Sequence, residues 1–128
     1  MKIKTLDLEG AALDWAVAKA IGHTVHATVH YLGVNEYGHV ASSRAIDLSN
    51  FSPSTDWSQG GPLIADSVCM LCRDNPLSPI PVGTEGWAAY HEGLPLLIDG
   101  PTPLIAACRA IVAAKLGDVV DVPDELAP

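Results

Sequence analysis

The chain has 128 residues, 48% of them hydrophobic and 5% aromatic, with seven Lys and Arg against fifteen Asp and Glu for a formal net charge of −8. That length suits one domain spanning 1–128, and the apolar content is too high for a disordered chain. The negative balance disfavours direct nucleic-acid binding, which needs the opposite sign, and no apolar run reaches membrane-spanning length. The three cysteines are an odd number, and the first residues, Met1-Lys-Ile-Lys, carry charge where a secretory leader would be apolar. Both features point to reduced thiols and a cytoplasmic setting.

In chain order, the first predicted element is a helix over 7–21. Leu13, Ala16, Val17 and Ala20 recur at helical spacing, Asp7 stands at the N-cap position and Gly22 supplies the stop. Trp15 lies off the centre of this stripe, where it covers the core edge or faces a site. Residues 24–32 then alternate, with Val25, Ala27, Val29 and Tyr31 on one face and Thr24, His26, Thr28 and His30 on the other. This is the pattern of a half-buried strand. Gly33 to Gly38 reads as a hairpin connection and 39–46 as an antiparallel return strand. His26 and His30 are four residues apart on a strand, roughly 13 Å, so one ion cannot bridge them, and no metal site is expected.

The centre of the chain, Ser52-Pro-Ser-Thr-Asp-Trp-Ser-Gln-Gly-Gly-Pro62, holds its densest functional chemistry. Pro53 fixes the backbone, and Ser54, Thr55 and Asp56 are types whose side chains bond nearby amides. Gly60-Gly61 frees the chain, and Pro62 opens a short helical turn over 63–66. Such a turn, with Trp57 projecting from it, suits a flat polar ligand; the bland alternative is a structured loop whose Trp57 plugs the core. The candidate ligand-binding residues are Trp15, Ser54, Thr55, Asp56, Trp57, Gln59, Gly60 and Gly61.

An apolar strand over 67–73 follows. Its Cys69-Met-Leu-Cys72 has no second CxxC, and on a strand the two sulfurs would point to opposite faces, so it reads as packing rather than a redox or zinc centre. Residues 74–86, with Pro76, Pro79 and Pro81, form a loop. Residues 87–91 form a short strand, and 92–100 an irregular stretch. Thr102-Pro103 opens the clearest element, a helix over 103–116. Leu104, Ala107, Cys108, Ile111 and Val112 form its buried stripe, Arg109 and Lys115 its polar side, and Gly117 ends it. The acidic tail, 118–128, offers a short edge strand. These elements predict an α+β domain in which a mainly antiparallel sheet of three to five strands packs against two main helices.

Three stretches taken together resemble the NinX family, small proteins of unknown function from the nin region of lambdoid phages and from prophages. They are Gly10-Ala-Ala-Leu-Asp-Trp-Ala-Val-Ala-Lys-Ala20, the central 52–62 stretch, and Gly100-Pro-Thr-Pro-Leu-Ile-Ala-Ala-Cys-Arg109 with its continuation through Ala114-Lys-Leu-Gly-Asp118 to Val122-Pro123. The chain departs from the family after Gly-Gly-Pro. An acidic-basic run is expected there, and Leu63-Ile-Ala-Asp-Ser-Val68 carries one charge. The resemblance implies a phage or prophage origin and a bacterial cytoplasm, and it supplies no catalytic residues.

No nucleophile elbow, phosphate loop or metal set occurs, which disfavours an enzyme. The expected function is a non-enzymatic binding module for a small, nucleotide-like ligand at the central loop, without a cofactor. The alternative is an adaptor or inhibitor that binds a host or phage protein. Homo-oligomerisation is left open, and no membrane or direct nucleic-acid partner is expected.

Overall fold

The structure is a computed structural model that describes residues 1–22, 24–26, 45–47, 50–68, 70–73, 86–95 and 97–126. Its elements are β1 (Lys2–Lys4), a 3-10 turn (Thr5–Asp7), α1 (Gly10–Ala20), β2 (Thr24–His26), β3 (Ala45–Asp47), α2 (Trp57–Ser67), β4 (Met70–Arg73), β5 (Trp87–Tyr90), β6 (Ile98–Gly100), α3 (Pro103–Leu116), β7 (Val119–Asp121) and a second 3-10 turn (Asp124–Leu126). This is the expected α+β class. Small antiparallel sheets of two strands, β1-β7, and three strands, β4-β5-β6, pack against the helices.

Everything is arranged about α3. The Thr102 hydroxyl caps it by accepting the Ile105 N–H at 3.1 Å, Pro103 occupies its first turn, and Gly117, at φ +94°, ends it. Its sides carry Ala106, Ala107 and Ala110, all buried, so neighbouring elements approach its backbone closely. On one side Cys108 and Val112 join Leu13, Ala16 and Val17 of α1, with Ile3 and Val120 from the β1–β7 ladder. On the other side Ala106, Ala107 and Ala110 pack on Ala89 of β5, with Trp87, Ile98 and Leu71 around them. The helix is buried almost all round, which corrects one expectation: Arg109 is not on a polar side but buried. It is held there because its guanidinium donates to two backbone carbonyls, from Nε to Leu8 O at 2.9 Å and from Nη1 to Asp99 O at 3.1 Å. A buried cation needs such acceptors.

Helix α1 is shorter than predicted. Asp7 falls in the 3-10 turn, and Glu9, at the N-cap position, makes no side-chain cap. Strand β1 was not expected from the sequence. It pairs with β7 in the register Lys2–Asp121, Ile3–Val120 and Lys4–Val119. The tail thus finds its partner at the opposite end of the chain. Strand β6 likewise falls in the stretch expected to be irregular. The expected antiparallel hairpin after α1 is overturned: β2 and β3 pair in parallel, Thr24 with Ala45 through His26 with Asp47. Period-two alternation specifies a strand but not its direction, and residues 27–44 exceed the roughly dozen a parallel crossover needs. The hairpin connection over 33–38, the loop over 74–85, His23, His30, His39 and Cys69 lie outside the described residues. Cys72, on β4, and Cys108 are free thiols.

Candidate functional site

The central stretch folds as a turn followed by a full helix. Ser52 O accepts the Thr55 and Asp56 amides at 3.1 and 2.9 Å, which closes the turn around Pro53. Asp56 is then the N-cap of α2, extended at φ −120°, with Oδ1 accepting the Ser58 amide at 2.9 Å and the Ser58 hydroxyl at 2.7 Å. Its Oδ2 accepts Gln59 Nε2 at 3.1 Å, while Gln59 Oε1 takes the Ser52 amide at 3.0 Å. Asp56 and Gln59 have the spacing of a capping box, but here the two side chains bond each other and the glutamine reaches back past the cap to Ser52. The Ser58 hydroxyl first, then the Ser58 amide and Gln59, hold the Asp56 carboxyl below the usual carboxylate range.

The helix runs straight through Gly60-Gly61-Pro62, which corrects the expectation of a freed backbone and a new turn at Pro62. The two glycines do different things. Gly60 is buried, and a Cβ there would strike the Pro53 carbonyl oxygen and lie 2.6 Å from Leu104 Cδ2. Its missing side chain is the seat of α2 on the turn and on α3. A Cβ on Gly61 would meet nothing within 4 Å outside its own stretch of helix.

Beneath the turn lies a group that sequence reasoning passed over. Asp14 of α1 is buried, 6% exposed, and its Oδ1 accepts the amide of Ser54, itself 2% exposed, at 2.9 Å. Burial pushes the Asp14 carboxyl up, and the Ser54 hydroxyl and amide offset part of that rise. The hydroxyl lies close enough for this influence yet makes no hydrogen bond of ordinary geometry with any partner. Across the same junction the Cys108 thiol is pushed up to about 12, by burial first and then by the Asp14 charge. It is an inert packing group rather than a nucleophile. The signal for Asp14 was present as a lone carboxylate in the apolar run Ala11-Ala-Leu-Asp-Trp-Ala-Val-Ala18.

The structure therefore brings Ser54, Thr55, Asp56, Trp57, Gln59, Gly60 and Gly61 together and spends most of their polar atoms internally. Trp57 is the exception. It is 55% exposed at the first position of α2, so it does not plug the core. Thr55, Ser58 and Pro62 are exposed as well, and Gly61, one turn along from Trp57, leaves the helix surface there bare. Trp15 instead packs within the cluster of α1, α3 and the β1–β7 ladder, with Lys19 Nζ 5.1 Å from its ring centroid. Among the described residues no group of three or more His, Cys, Asp or Glu is placed to hold a metal ion, and no helix is long and apolar enough to cross a membrane.

Compared with known proteins, residues 4–115 match the family model described as Bacteriophage P22, NinX. The match takes in α1, the central turn with α2, and nearly all of α3. A search of curated proteins finds none that matches the chain.

Proposed function

The chain belongs to the phage NinX family, and from that premise we propose that it is a non-enzymatic binding module whose contact element is the head of α2. Trp57 stacks there on the flat ring of a small, nucleotide-like ligand. The observation that carries this reading is the exposure of Trp57, 55%, on a helix start whose Asp56 and Gln59 side chains are tied down. A half-exposed indole gives up burial worth roughly 25 cal/mol per Å². Fixing its backbone by Asp56, Gln59 and Gly60 lowers the ordering cost of any contact it makes. Stacking of a base on an aromatic side chain contributes about 1–3 kcal/mol. The net charge of −8 favours recognition through the ring over recognition through phosphates.

Titrating nucleosides and nucleotides while following tryptophan emission and melting temperature tests this. A saturable change that disappears in Trp57→Ala is expected. Absence of any response across the panel at millimolar concentration sinks the small-ligand reading. A second reading, an adaptor that binds a protein, is supported by the internal satisfaction of Asp56 and Gln59. That leaves the site an aromatic anchor with few free polar groups, as at the centre of many protein interfaces. Loss, on Trp57→Ala, of one defined protein captured from phage-infected cells supports that reading over the first.

A further inference from the structure

A second surface lies apart from the head of α2. The turn after β1, β6, the last turns of α3 and the start of β7 enclose a groove of about 350 Å³ lined by Lys4, Leu6, Ile98, Ala113, Asp118 and Val119, with Thr5 between them. Ala113 and Ile98 are buried or half-buried, whereas Leu6 and Val119 are 53% and 50% exposed. A recess and two projecting aliphatic side chains thus share one patch. The walls are fixed: the Thr5 hydroxyl donates to Gly117 O at 2.6 Å, and the Thr5 amide to Asp118 O at 2.8 Å. Lys4 and Asp118 make no ion pair with any described residue, while nearby Asp121 and Asp124 are both taken by the Met1 ammonium at 3.1 Å.

We propose that this groove is the contact between two copies of the chain. At a net charge of −8, chance encounters of two copies are repulsive. A two-fold interface must moreover be complementary to itself. This patch carries both halves of each pair such an interface needs. The projecting Leu6 matches the recess over Ile98 and Ala113, and Lys4 matches the partner's Asp118. A partner charged with one sign would leave one of the two rim charges opposed. A small apolar molecule in the recess would leave Leu6 and Val119 in water.

Sedimentation velocity of the full chain from about 10 μM to about 1 mM, a range that covers weak dimers, reads the outcome. A concentration-dependent shift from monomer to dimer is expected. Leu6→Asp should abolish the dimer. Lys4→Glu and Asp118→Lys should each weaken it about tenfold or more, and the double reversal should bring it back to within about threefold of the parent. These side chains are exposed, so circular dichroism and melting at the dilute end should show each variant folded. A chain that stays monomeric throughout overturns the proposal. So does a dimer indifferent to Leu6→Asp, a double reversal no better than the single ones, or a groove that takes up an apolar dye while the chain remains monomeric.

Discussion

Two neighbouring glycines in α2 should respond unequally to the same substitution. In a helix interior, Ala in place of Gly is worth about 0.5–1 kcal/mol, because the unfolded glycine has more freedom to lose. At Gly61 nothing beyond the chain neighbours lies within 4 Å of the added carbon, but a side chain directly before Pro62 crowds the proline ring in a helix, so Gly61→Ala should lose most of that gain and come out near neutral. At Gly60 the same carbon meets the Pro53 carbonyl oxygen and sits 2.6 Å from Leu104 Cδ2. The Leu104 methyl can rotate away, but the carbonyl belongs to a buried turn pinned by Asp14. Overpacking of this kind costs about 1–3 kcal/mol, so Gly60→Ala should come out about 1–2 kcal/mol less stable than the parent. The two variants should then differ by roughly 1–2 kcal/mol, about 5 °C in melting temperature for a domain of this size. Urea denaturation of both, with unchanged m-values, measures the difference. Equal stabilisation by the two substitutions would refute the seat assigned to Gly60, and with it the placement of α2 on the turn.

Trp57→Ala should cost about 1–2 kcal/mol, well below the 3–5 of a core aromatic, because most of the ring is already in water; thermal melts check this. Asp14→Asn keeps an acceptor for the Ser54 amide and removes a buried charge, so it should match or exceed the parent at neutral pH. The sign follows from the raised folded-state pKa of Asp14. Between the unfolded value near 3.8 and that higher value the native state binds the extra proton, so the parent loses stability as pH rises through this window and Asp14→Asn does not. Asp56 contributes in the opposite sense. Its folded pKa is lowered, so its contribution is present above the ordinary carboxylate range and fades as pH falls through the depressed value. Melting temperatures from pH 3 to 7 for the parent, Asp14→Asn and Asp56→Asn should separate the two contributions. Pro62→Ala restores an amide able to bond the Ser58 carbonyl inside α2 and should stabilise by about 1 kcal/mol or more; a loss would show that the ring packs on something the helix needs.

How much of this was legible in the sequence depended on how local each signal is. Helix α3 was clear because Thr102, Pro103 and Gly117 mark its ends and its buried stripe keeps helical spacing. Arg109 was misread because spacing alone cannot show that carbonyls from Leu8 and Asp99 wait on the other side. The central stretch was recognised as structured and rich in chemistry, yet its Gly-Gly-Pro argued locally against a helix. Tertiary seating of Gly60 on Pro53 and Leu104 overrode that propensity, and the Asp56–Gln59 spacing was the local sign that it would. The exposure of Trp57 had no counterpart in sequence, since a tryptophan among polar residues is compatible with either surface or core. Strand β6 and the β1–β7 ladder are three residues long, too short for periodicity, and the direction of β2 against β3 is a property of the connection rather than of the strands.

The β1–β7 ladder also sets the order in which the molecule can be completed. Ile3 and Val120, partners in that ladder, both belong to the cluster against which α1 and α3 pack. During synthesis the first strand therefore waits unpaired until residue 121 has cleared the ribosome, while α1 waits for α3 to cover its apolar face. Closing a loop of that length costs only a few kcal/mol of entropy, since the cost grows with the logarithm of length, but it is a late step. Truncations that stop short of β7 should leave β1 unpaired and the cluster around Ile3 without Val120 and Val122, and collect as aggregates. Joining the two ends and reopening the ring elsewhere would make this contact local and speed folding.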